Sequence, residues 1–299
     1  MNLNRTATWI RALLLLALLA GSVATRRHVE HLRGSQATLE EVLYLPSGKT
    51  VKSLSLGYSS LLADIYWTRA VQYFGAHHIQ HAADYDLLAP LLDITTDLDP
   101  HLIVAYENGA IFLSQQRPEG AGRPDKAVAL VEKGIRNNPT YWRLYFTLGF
   151  IHYVDRHDFK AAQQAFQKGS EVPGALPWMK VMAARMAEKA DDPNTAGYLW
   201  RAIYETTTDK DIKQTAVKHL VSLRAQADIE ELERRTQAYE QKFGKPPETW
   251  SDLIRAGLLR GVPQDPNGAP YKLRLDGTVQ VEDAQKFPYL ERRPLSQIK

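Results

Sequence analysis

Ala127, Ala161 and Ala196 each open an apolar helical stretch, at steps of 34 and 35 residues. Pro139 and Pro173 close the first two stretches, again 34 apart. A fixed step of this size marks one pair of helices stacked repeatedly, because a single pair cannot bury its apolar face alone. The expected fold is therefore all-α, a solenoid of helical hairpins with a surface for holding another chain. A scaffold is the expectation, not an enzyme.

The rest of the chain follows the same grammar. Helical periodicity covers residues 57–81, 87–98 and 101–114, with Asp99-Pro100 as a stop. A loop rich in Gly and Pro, residues 115–124, precedes a helix over 125–136. Then residues 141–153 pair with 159–169, and 178–189 pair with 195–206. Helical segments over 209–225 and 229–243 follow. Residues 42–56 break the pattern: Val51, Ser53 and Ser55 alternate with Lys52, Leu54 and Leu56, which predicts an extended cap.

Tyr145, Leu148, Gly149 and His152 follow the W-x2-L-G-x2-Y spacing, with Ala161, Ala165 and Pro173 in step. Here the chain resembles the tetratricopeptide repeat family, over four units at residues 69–100, 101–139, 140–173 and 177–208. The second unit carries five extra residues in its loop. The resemblance implies a right-handed solenoid whose first helices line a concave groove. By repeat register this groove takes Tyr73, His77, Ala105, Phe112, Arg143, Phe146, Phe150, Tyr153 and Arg185. Aromatic anchors with a few arginines suit a peptide partner.

The two ends differ from the middle. Residues 12–24 are 13 uncharged residues preceded by Arg5 and Arg11, and Arg26-Arg27 follow at once. They read as a signal or an uncleaved anchor helix, which puts the bulk of the chain at the outer face of the cytoplasmic membrane. Residues 25–56 then form a linker and cap, 57–226 the repeats, 227–283 a long helix with a small α+β module, and 284–299 a tail. In the module, Asp276-Gly277 stands between two alternating runs and predicts a two-residue hairpin turn. Residues 229–282 resemble the soluble end of type II secretion pseudopilins. Leu45-Pro46-x-Gly48 with Leu62-Ala63-Asp64-x-x-Trp67 is similar to an opening of envelope-associated bacterial repeat proteins. Together these resemblances imply work in secretion, pilus or surface-polymer assembly.

Composition narrows the chemistry. The chain has no cysteine, which excludes disulfides, thiolate metal sites and cysteine nucleophiles. Its net charge of +3 resides in residues 1–40, and the remainder balances at 32 basic and 32 acidic residues. No dense basic run marks a nucleic-acid binder. Gly48-Lys49-Thr50 lacks the earlier glycine of a phosphate loop, since Leu43 stands there, and no nucleophile elbow or dinucleotide loop is present. No cofactor and no small-molecule substrate are expected.

Three polar groups compete with the groove. His77 and His81, one helical turn apart, with Asp84 have the spacing to share a metal ion, which is the alternative function. His152, Asp155, His157 and Asp158 gather in one turn, where capping is the simpler use, and Asp158 is placed to cap the next helix. Asp265, Asn267 and Asp276 carry calcium-type oxygens, though turns use the same residues.

Overall fold

The computed structural model describes residues 47–81 and 84–291, together with Ala17, Gly21 and Ser22. These fall into two units, one ending at Asp99 and one beginning at Pro100. The expected membrane helix at residues 12–24 and the linker at 25–46 lie outside the described residues, apart from those three. So does the tail from 292. Among the described residues no helix is long and apolar enough to cross a membrane.

In the first unit, α1 (Gly48–Leu54) and α2 (Ser59–Ile79) both pack on α3 (Leu88–Leu98). The described part of the segment expected to be extended is thus a helix. Ser47 Oγ accepts from the Thr50 N–H and starts it, and Val51 and Ser55, one turn apart, share its inner face. A six-residue alternation is too short to tell period 2 from one face of a short helix. Gly48 is needed here: an added Cβ would lie 2.5 Å from Asp97 Cβ. Leu88, Leu92 and Leu98 of α3 are buried, and the buried hydroxyls of Thr95 and Thr96 donate to the Leu91 and Leu92 carbonyls.

The second unit is a row of helices joined by short turns. They are α4 (Ile103–Ser114), α5 (Pro124–Asn137), α6 (Trp142–Val154), α7 (Phe159–Ser170), α8 (Trp178–Lys189), α9 (Pro193–Thr206) and α10 (Lys210–Phe243). Each packs on the next, and α4 also packs on α6. Local chemistry sets the boundaries. Pro124 and Pro193 occupy first turns, where the missing N–H costs nothing. Asp158 accepts from the Ala161 N–H, Asp192 from Thr195 and Asp209 from Asp211 and Ile212.

The long helix α10 runs unbroken through residue 226, where a boundary between repeats and module was expected. Gln226, Ala227 and Asp228 favour no turn strongly enough to end a helix that has packing on both sides. Gly244, at φ 72°, ends it in the left-handed conformation. Beyond it come α11 (Trp250–Arg255), opened by the Thr249–Asp252 capping box, and a hairpin of β1 (Lys272–Leu273) and β2 (Val279–Gln280).

The hairpin turn is longer than expected. Arg274 N–H donates to Thr278 O, Gly277 N–H donates to Arg274 O, and Gly277 has φ 81°. This is a three-residue loop with glycine at its left-handed position, the next most common solution after a two-residue turn. Leu232, Leu253, Tyr271, Val279 and Phe287 share one core with the α10 residue Ala225. Phe287 is therefore no tail residue; its ring is buried in the module, and Leu290 packs beside it.

Candidate first-helix wall

Glycines fix the register between repeats in the second unit. A Cβ on Gly134 of α5 would meet the ring of Tyr106 on α4, and a Cβ on Gly169 of α7 would meet Tyr145 on α6. Tyr106 and Tyr145 are thus equivalent, each wedged on the glycine of its own second helix. Leu144, Gly149 and Ile151, all buried, correspond in the same way to Met179, Ala184 and Met186 of α8.

Carrying these offsets to the opposite face gives three matched triplets. They are Val104, Glu107 and Ile111 on α4; Arg143, Phe146 and Phe150 on α6; and Trp178, Val181 and Arg185 on α8. In each triplet the outer two residues are exposed and the middle one is half-buried. The repetition across three helices makes this face one wall. Aromatic contacts hold it: Phe146 meets Trp178 edge-on at 5.2 Å and Phe150 at 6.0 Å, and Trp142 meets Trp178 at 6.5 Å.

The wall's electrostatics follow from this packing. Burial pushes the Glu107 carboxyl up, and the neighbouring Arg143 guanidinium partly opposes that. Arg143 also lies 5.6 Å from the Trp142 ring centroid. Phe150 is 45% exposed, a large apolar surface on the same helix as exposed Arg143. Farther along α6, half-buried Tyr153 lies 6.2 Å from Phe159, with Lys189 Nζ 5.9 Å from its centroid.

The expected groove residues divide. Arg143, Phe146, Phe150 and Tyr153 lie on α6 and Arg185 on α8. Ala105 does not: it is fully buried, and Val104 takes the outward position. Phe112 is half-buried, and Ile111 holds the place equivalent to Phe150. The five extra loop residues slip the spacing, so counting through residues 115–124 misplaces α4 by one. Tyr73 is a core residue of the first unit, its hydroxyl accepting from the Leu87 N–H at 3.4 Å. His77 lies 3.9 Å from the Tyr73 ring, its Nδ1 2.9 Å from the Tyr73 carbonyl.

Elsewhere the polar groups serve structure. Among the described residues no group of three or more His, Cys, Asp or Glu side chains is placed to hold a metal. The His77–His81–Asp84 arrangement is thus not formed; His77 is turned inward, and His81 sits past the helix end at φ 48°. Asp265 Oδ1 accepts from the Asn267 and Ala269 N–H groups, and Asp276 accepts from Thr278, so each closes its own turn. In the other cluster, Asp158 caps α7, while burial and Arg156 lower the pKa of His152.

One constellation was not visible in the sequence. Glu188 Oε1 accepts from both Trp200 Nε1 and His219 Nδ1, each at 2.8 Å, and His219 stacks on the Trp200 ring at 4.0 Å. These residues stand 31 positions apart at the extremes, with no motif to join them. No protein-family model matches this chain, and no curated protein sequence matches it either.

Proposed function

We propose that this chain is a non-catalytic holder of a protein or peptide partner. In this reading the helix row is a right-handed solenoid of the tetratricopeptide type, and its first helices form the inner wall of the groove. The partner is an extended or helical segment that interleaves apolar side chains with acidic ones. Phe150, Trp178 and Ile111 offer anchors for the former, and Arg143 and Arg185 offer partners for the latter. The single observation carrying this is the recurrence of exposed large side chains at the two outer positions of α4, α6 and α8, apolar at Val104, Ile111, Phe150 and Trp178 and cationic at Arg143 and Arg185. A face with only a packing duty has no use for an exposed large apolar residue and an exposed arginine on each of α6 and α8.

The sequence before residue 47 supports work at the bacterial envelope, with residues 12–24 as anchor and the helices at the outer face of the inner membrane. Secretion, pilus or surface-polymer assembly is the matching setting, by analogy with the families that the sequence resembles. The test is charge reversal. Arg143→Glu with Arg185→Glu leaves melting within a few degrees of the parent, since both side chains are exposed. It reduces recovery of the crosslinked partner from intact cells about ten-fold or more. Undiminished recovery of every partner would sink the proposal.

A further inference from the structure

The turn between α1 and α2 presents five large apolar side chains to solvent: Leu54, Leu56, Tyr58, Leu61 and Ile65. Leu56 is the informative one. It is 89% exposed and lies at φ 50°, in the left-handed region that penalises a branched side chain. Neither packing nor conformation within the first unit favours leucine there; a glycine or asparagine would fit the backbone better and meet water more readily. Leu54, immediately before the turn, is 74% exposed. Helix α2 carries the patch on through Leu61 and Ile65, beside an exposed polar stripe of Ser60, Asp64, Thr68 and Gln72.

We infer that this tip rests in a lipid surface, with Leu54, Leu56, Tyr58, Leu61 and Ile65 in the interfacial layer of the bilayer. Three observations select lipid over a protein partner. Exposed leucines together with an exposed tyrosine are the composition of an interfacial contact. Lys49 and Lys52 lie at its flank, suited to anionic headgroups. Residues 25–46 join it to the uncharged stretch 12–24, and 22 residues span at most about 75 Å, which keeps the tip within reach of the same membrane. The surface is separate from the first-helix wall and stands or falls without it.

The absence of cysteine permits a direct test on the full chain. Leu56→Cys and Leu61→Cys are each labelled with an environment-sensitive fluorophore, and Tyr198→Cys, exposed on α9, serves as reference. The proteins are reconstituted in phosphatidylethanolamine–phosphatidylglycerol vesicles. A quencher carried on the lipid chains is expected to reduce the signal at 56 and 61 about two-fold or more and to leave 198 unchanged. Quenching at 56 and 61 by aqueous iodide but not by lipid would overturn the inference, because the tip would then be free in water. Protection from both quenchers would also overturn it, because a protein surface, such as a second copy, would then cover the tip.

Discussion

The imidazole of His219 lies parallel to the ring of Tyr289, 3.5 Å between centroids and 7° between planes. His219 stands in the first third of α10 and Tyr289 near the end of the described chain, so the stack clasps that end onto α10. The Tyr289 N–H donates to Ser222 Oγ one turn along. Removing the ring by Tyr289→Ala should cost about 1–2 kcal/mol, the worth of a partly exposed aromatic stack with its buried area. Urea denaturation measures it, and limited proteolysis should show residues 284–291 cut first.

The repeats depend on glycine where two helices approach. A Cβ on Gly149 would stand 2.7 Å from the Phe166 ring, whereas Gly197 on α9 has no atom within 4 Å. Gly149→Ala should therefore destabilise by about 1–2 kcal/mol, overpacking outweighing the gain in helix propensity. Gly197→Ala should stabilise by up to about 1 kcal/mol. Thermal melts of the two variants should move in opposite directions.

Glu233 is buried, and its Oε1 accepts from the Val279 N–H at 3.0 Å, tying α10 to the hairpin. Desolvation raises its pKa, with the Val279 bond opposing. The neutral carboxyl is thus favoured in the folded state. Its destabilising contribution is absent below the ordinary carboxyl value and grows as pH climbs from there through the folded pKa. Glu233→Gln keeps an acceptor for Val279 and cannot ionise. Stability of the variant relative to the parent should rise between pH 4 and pH 7; a constant difference across that range would exclude the mechanism.

What could be read from the sequence was whatever short-range chemistry decides. Pro139, Pro173, Asp158 and the 34-residue step placed α5 to α9 within a residue or two, because stops and caps act locally. Arg143, Phe146 and Phe150 on α6 and Arg185 on α8 were named from the same count, whereas Trp178 and Val181 were not. The α4 part of the wall was not legible, since the extra loop residues break the count and only the contact of Tyr106 with Gly134 restores it. Helix α1 was missed because Ser47 capping outweighs an alternation of a few residues. The Glu188–Trp200–His219–Tyr289 arrangement was beyond reach, for it joins four elements by tertiary packing alone.

The central claim is that the exposed face of α4, α6 and α8 holds another chain. A photo-activated crosslinking residue placed at Phe150 in the full-length protein, in living cells, tests it most directly, with one at Tyr198 on α9 for comparison. The account predicts one dominant adduct from position 150, none of that mass from 198, and its disappearance when Arg143→Glu and Arg185→Glu are added. Equal adducts at both positions, or an adduct at 150 that survives both charge reversals, would contradict it.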